Sequence, residues 1–257
     1  MAGAVKAYPE IYFARLVILG EGESEQIVIP KLLSKVGIDI DDSFVSVAPL
    51  GGRHVNHFWK LLNGLGIPYV TLLDMDYGRN GGGWGRIKYV VDQLAKLDKG
   101  EVITGIPNWD VSNSNPMIDM LHESKDTAET FLNQHNVFFS SPLDLDYSMQ
   151  LSYPQYYNEK VTGENGPQDK EWEPLKSAVL KAKYSKKIAD SYYNETKNKD
   201  AFLWYNYRFL GSKGKPVSHI NALEKIDFLL PENIQRIPTG IQKMIKQIEK
   251  EISNLSE

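Results

Sequence analysis

The sequence predicts an α/β fold: a mainly parallel sheet flanked by helices, with a smaller helical domain attached. Three observations lead there. From residue 15 onward short apolar runs alternate with amphipathic segments, the connections between them are short, and residues 173–210 read as helical throughout. Alternating strands and helices favour parallel pairing, because a parallel pair needs a crossover and a helix supplies it. All strands of such a sheet end on one edge, and ligands gather there.

Residues 15–19 (RLVIL) form an apolar run too short for a helix and make the first strand. GEGES is a turn, and residues 25–36 follow as a helix with Ile27, Ile29, Leu32, Leu33 and Val36 on its apolar side. The second strand is 44–50. Gly51 and Gly52 turn the chain into a helix over 54–65, which Gly66 closes. Pro68 opens a third strand at 69–73 (YVTLL), which ends at Asp74-Met75-Asp76. Next come the glycine-rich GRNGGGWGR, a helix at 87–97, a turn-rich stretch at 107–116 and a helix at 124–134. A strand at 136–141 (NVFFSS) runs into PLDLDYSM. Residues 151–174, rich in Tyr, Pro, Gly and Asn, read as loop or linker, and 238–253 as an amphipathic helix. So long a loop favours dividing the chain into a core at 11–150, a helical unit at 151–212, and a return to the core with a C-terminal helix at 213–257.

The 257 residues are 42% hydrophobic and 24% charged, with 20 Gly and 13 Pro, which excludes disordered and collagen-like classes. Cysteine is absent from the sequence. Disulfides, thiolate nucleophiles and Cys-based zinc or iron–sulfur sites are therefore excluded, and a metal must sit on oxygen or imidazole ligands. The start of the chain lacks the apolar core of a secretory signal, and no stretch reaches the roughly 18 apolar residues of a membrane span. A cytoplasmic protein free of the membrane is expected.

The net charge of −4 hides an asymmetry: residues 181–215 carry nine Lys/Arg against three acids. A basic stretch in an acidic chain suits a polyanion on one face and a carboxylate-rich site elsewhere. Lys181, Lys183, Lys186, Lys187, Arg208 and Lys213 are the candidate contacts to nucleic acid. Tyr192, Tyr193, Trp204, Tyr205 and Tyr207 interleave with them and could stack on bases or fill the core of the helices.

Acids stand at three predicted strand ends: Glu21 and Glu25, Asp74 and Asp76, Asp144 and Asp146. A doubly wound sheet brings these ends to one edge. So many carboxylates ionise together only beside cations, and oxygen ligands suit one or two Mg²⁺ or Mn²⁺ ions. Two such ions about 4 Å apart can activate water and stabilise a leaving oxygen in phosphodiester cleavage. Each site also has a plain structural reading. Glu25 suits a first helical turn capped by Ser24, Asp-x-Asp puts two side chains on one face of a solvated edge, and Asp144 and Asp146 suit a turn after Pro142.

Other chemistries find less support. GEGESE lacks the dinucleotide fingerprint and no phosphate-binding P-loop is present, so this chain alone is not expected to hydrolyse ATP. His54 and His57, one helical turn apart, read as a packed or solvated face rather than a metal site. No Ser/His/acid spacing points to a nucleophilic hydrolase. In GSKGKPVSH, glycine and proline are expected to hold Lys213, Lys215 and His219 in a turn, where a lysine beside metals could offset transition-state charge.

The runs LGEGESEQIVIPKLL, VAPLGGRHVNHF, IPYVTLLDMDYGR and SSPLDLDYSM, with GKPVSH further on, resemble the Toprim nuclease region of the overcoming-lysogenization-defect (OLD) family. The resemblance is strong over residues 15–150. It implies a Toprim-like fold and DNA cleavage, by nicking or double-strand cutting, with two Mg²⁺ or Mn²⁺ ions. By position it makes Glu21, Glu25, Asp74, Asp76, Asp144 and Asp146 the metal ligands with Ser141 nearby, and Glu21 catalytic as well. One ion is then held chiefly by Glu21 and Asp74, the other by Glu25 and the later acids. Lys215 is the expected catalytic lysine and Lys213 the fallback. The family carries an ATPase module before this region; none is present here, and such a module is an expected partner beside DNA. The competing expectations are a primase or topoisomerase relative and a non-catalytic DNA-binding or docking module.

Overall fold

The computed structural model describes residues 8–52, 55–97, 129, 132–160, 163–181, 184–211 and 214–255. The turn-rich stretch at 107–116, most of the helix expected at 124–134, and His54, Lys183 and Lys213 lie outside them.

Four strands are described, β1 (Leu16–Gly20), β2 (Val45–Pro49), β3 (Tyr69–Asp74) and β4 (Val137–Ser140), and they form one sheet in the order β2-β1-β3-β4. All three pairings are parallel, with Gly20 opposite Pro49 and Asp74 opposite Ser140 at the carboxyl ends. Helices α1 (Glu23–Lys35), α2 (Val55–Leu65) and α3 (Trp84–Leu97) supply the crossovers expected after the first three strands. Chain order reverses between β1 and β3, which is where a doubly wound sheet opens a crevice.

Period-two alternation divides the core. Leu16, Ile18, Val70, Leu72 and Phe138 face a cluster shared with α1, whereas Val17, Leu19, Leu73, Val137 and Phe139 face α2 and α3. Both faces are covered, so β1 and β4 are buried along their whole length rather than on alternate residues.

After β4 the chain becomes helical earlier than expected. Asp144 caps α4 (Leu145–Ser152), accepting from the Tyr147 N–H at 2.9 Å, and α5 (Pro154–Tyr157) follows at once. The expected loop at 151–174 therefore shrinks to the stretch before α6 (Trp172–Leu180). The long helical reading of 173–210 resolves into α6, α7 (Lys186–Tyr192), α8 (Glu195–Tyr205) and a π-helical turn at Asn206–Leu210. Then come α9 (Lys215–Lys225), α10 (Pro231–Gln235) and α11 (Thr239–Asn254). Lys215 thus begins a helix instead of lying in a turn, since Pro216 suits the first helical turn. Helix α9 packs on α1, and α11 lies against β3 and β4. Leu175, Val179, Phe202 and Tyr205 belong to the same buried cluster as Leu16 and Ile18, so the helical elements share the core of the sheet.

Candidate functional site

Glu21 leaves β1 and Glu25 stands in the first turn of α1. The residue that caps α1 is Gly22, not Ser24: the Gly22 N–H donates to Glu25 Oε2 at 2.8 Å, while Ser24 Oγ is buried with no hydrogen-bond partner. A Cβ on Gly20 would lie 2.4 Å from the Cβ and Cγ of Glu25, so only a glycine at this strand end lets the Glu25 side chain cross it. The Asp74 N–H donates to Glu21 Oε1 at 3.0 Å, and Asp74 Oδ1 accepts from the Leu145 N–H at 3.2 Å. The ends of β1 and β3 and the start of α4 are thereby stitched side by side. In α4, Asp146 meets Lys215 Nζ at 2.6 Å through Oδ2 and His219 Nε2 at 2.9 Å through Oδ1. The fully buried His219 reaches the Tyr157 hydroxyl with Nδ1 at 2.8 Å.

These groups enclose a cavity of about 180 Å³ whose walls carry Glu21, Glu23, Glu25, Asp74, Asp144 and Asp146, with Lys215 among them. Five of the acids expected from the sequence meet there. Asp76 does not. Strand β3 stops at Asp74, and Asp76 has left-handed backbone (φ 54°), so the two side chains do not share a strand face. Asp76 instead binds Arg79 Nη1 and Arg86 Nη2, each at 2.7 Å. Ser141 lines a different cavity, beside Pro238 and Lys243. His57 is exposed on α2.

The basic segment separates into two kinds of residue. Lys181, Lys186 and Lys187 are exposed. Arg208, expected to contact nucleic acid, is 6% exposed and occupied: it donates to the carbonyl oxygens of Tyr157 and Glu159 and to Glu164 Oε2. Tyr193, Trp204 and Tyr205 are core residues, and Tyr192 stacks on Tyr77 with centroids 4.4 Å apart.

Sequence reasoning missed Glu23, Arg79, Arg86 and Tyr157, and gave Ser24 only a capping role. The two arginines had a visible signal, since a glycine-rich loop that carries two cations directly after Asp-x-Asp is placed to neutralise it.

A family model described as the overcoming lysogenization defect protein-like TOPRIM domain matches residues 12–76, which span β1 to β3 and include Glu21, Glu25, Asp74 and Asp76. Over that stretch the chain is similar to an OLD-like Toprim domain. Among solved structures it is similar to the C-terminal region of the Burkholderia pseudomallei OLD protein, with 16% identity and a TM-score of 0.55 over 93% of this chain and 99% of that one. It is also similar to the C-terminal region of the Xanthomonas campestris pv. campestris OLD protein, with 16% identity and a TM-score of 0.51 over 94% of this chain and 98% of that one. At such identity the likeness is one of fold. No curated protein matches the chain.

Toprim domains generally bind divalent cations, and the acidities around this cavity bear on whether its residues suit one. Burial, reinforced by Asp146 and Glu21, pushes Glu25 up to about 8. Burial likewise raises Glu21, against the pull of Arg86, and raises Asp74 well above the carboxylate range with Glu21 and Glu25 adding to it. For Asp146 burial acts in the same sense, but contact with His219 and the charge of Lys215 overcome it and hold the carboxyl below its usual range. Burial works against the Lys215 charge, yet Asp146 and Asp144 keep its pKa above that of a free lysine. Among the described residues no three His, Asp or Glu side chains already stand in a ligating array. The donor set nonetheless suits a hard dication: all-oxygen ligands, three carboxyls that ionise readily only beside positive charge, and an orphaned serine hydroxyl in the wall. Among the described residues no helix is long and apolar enough to cross a membrane.

Proposed function

We propose that this protein is a divalent-metal-dependent DNA endonuclease or nickase, acting through two Mg²⁺ or Mn²⁺ ions in its Toprim domain. The observation that carries the reading is the convergence of Glu21, Glu25, Asp74 and Asp146 on one cavity beside Lys215. These four carboxylates would hold the ions. When bound, the cations would replace the protons that burial favours, activate water and stabilise the departing 3′ oxygen.

The chain's own residues then have distinct tasks. Glu21 bonds to the Asp74 N–H and so sets the spacing between the ends of β1 and β3. Asp146, gripped by His219 from one side, turns its other oxygen to Lys215. The Lys215 ammonium stays charged and half-exposed, available to the oxygens of the scissile phosphate as their negative charge grows. The Ser185 N–H donates to the Gly78 carbonyl at 3.1 Å, which fastens the start of α7 to the loop leaving β3. Lys181, Lys186 and Lys187 flank that fastening, which supports contacts to phosphates on either side of the cut.

The test is a supercoiled-plasmid assay with metal-stripped protein. Nicking is expected only after Mg²⁺ or Mn²⁺ is added, and Asp74→Ala is expected to lose it while still retarding DNA in a gel. Undiminished cutting in EDTA, or by Asp74→Ala, refutes the proposal. Equal background from both proteins with retained DNA binding favours a docking module.

A further inference from the structure

We propose that Arg79 is a positioning residue through which the helical elements α6 and α8 set the shape of the acidic cavity. The guanidinium is 7% exposed and reaches four partners from four parts of the chain. Nη1 meets Asp76 Oδ1 at 2.7 Å and Asp144 Oδ2 at 2.9 Å. Nη2 donates to the Tyr205 hydroxyl and to the Val179 carbonyl, both at 3.1 Å. Tyr205 in turn donates to the same Asp144 oxygen. Val179 belongs to α6 and Tyr205 to α8, whereas Asp76 follows β3 and Asp144 caps α4.

The consequence lies in what is attached to Asp144. Its other oxygen caps α4 at Tyr147, the next N–H along the chain is the one bonded to Asp74, and the residue after that is Asp146. A shift of Asp144 therefore moves two acids of the cavity together. Buried charges need full pairing: Arg79 supplies one partner to Asp76, whose other oxygen meets Arg86, and one to Asp144, whose Oδ2 also accepts from Tyr205. A lysine would keep the charge but could not span these directions, because its ammonium is a point and not a planar fork. The helical elements thus contribute to the site without touching substrate.

This inference rests on the metal-dependent reading of the cavity, so its test has a readout that does not need metal. Tyr205→Phe removes one hydroxyl and keeps the ring that packs on Tyr147, and Arg79→Lys removes the fork and keeps the charge. Wild type and both variants, checked for folding by circular dichroism, are compared by titration calorimetry with Mn²⁺, amide hydrogen exchange, and plasmid nicking at saturating Mn²⁺. Tyr205→Phe is expected to weaken Mn²⁺ binding about tenfold, as loss of a ligand-orienting partner typically does. Exchange at residues 144–147 is expected to quicken while β1 and β3 keep wild-type protection, and kcat is expected to fall with KM for DNA unchanged. Arg79→Lys is expected to show the same changes, larger. If Arg79→Lys does not fold, Tyr205→Phe decides alone. Unchanged exchange at 144–147 in Tyr205→Phe overturns the proposal, as does quicker exchange with wild-type Mn²⁺ affinity. If the wild type neither binds Mn²⁺ nor nicks DNA, the nuclease reading fails on its own, and the exchange comparison still judges the clamp.

Discussion

Glu25 and Asp146 line the same cavity with opposite acidities. Glu25 is raised from 4.5 to about 8, so the folded, metal-free protein holds more protons than the unfolded chain across that interval. Stability must then fall as pH rises from 4.5 to 8, with Glu21 and Asp74 adding in the same direction. Asp146 and Asp76 act oppositely, contributing stability above the usual aspartate value of 3.8 that is lost as pH falls through their lowered values. Urea unfolding of metal-stripped protein is expected to show the midpoint declining between pH 5 and 8, and saturating Mg²⁺ is expected to remove the decline. A flat metal-free profile contradicts this. For Lys215→Met the expectation is a fall in nicking of about a hundredfold or more, the size typical of losing one transition-state charge partner. Circular dichroism should show the variant folded, with a lowered thermal midpoint because the buried Asp146 keeps only His219 as a partner. Glu21, Glu25, Asp74, Asp144 and Asp146 were legible in the sequence because they stand beside strand ends. Asp76 misled, because a period of two holds only while a strand lasts and β3 stops at Asp74.

Strand ends and helix starts do the positioning. The junction of β1 and α1 depends on Gly20, whose missing Cβ leaves room for Glu25. Gly20→Ala is therefore expected to displace Glu25 and weaken Mn²⁺ binding by tenfold or more in calorimetry, with the sheet retained by circular dichroism. Wild-type affinity in that variant would show that Glu25 does not matter to the cavity. Strands β1 to β4 and helices α1 to α3 could be read from periodicity, each within a few residues. So could α11, whose buried Ile241, Met244, Ile245 and Ile248 follow the helical spacing. Helices α4 and α5 escaped because their Tyr, Pro and Ser content resembles loop composition, although Tyr147, Tyr153 and Tyr157 are in fact fully buried. Their aromatic rings act as core residues, and the hydroxyls of Tyr153 and Tyr157 found partners at the Asn233 carbonyl and His219.

At the scale of the whole molecule, alternation implied parallel strands, but not the order β2-β1-β3-β4, which depends on which crossover turns back. Nor could it show that the helical elements share one core with the sheet, since Leu175 and Phe202 meet Leu16's cluster only through packing across distant sequence. The same remoteness governs when the cavity comes into being. Its bonds join residues 53, 71 and 73 positions apart, and the Arg79 contact to Tyr205 spans 126. Closing such long loops is slow and entropically costly, so the local helices precede them. An ion would then meet a finished receptor and would not template the chain. Stopped-flow refolding is expected to proceed at the same rate with or without Mn²⁺, whereas unfolding slows in its presence, the pattern of an interaction made after the rate-limiting barrier. For this protein, the cation would act as a latch fitted after assembly, governing how long the native state lasts and not how quickly it is reached.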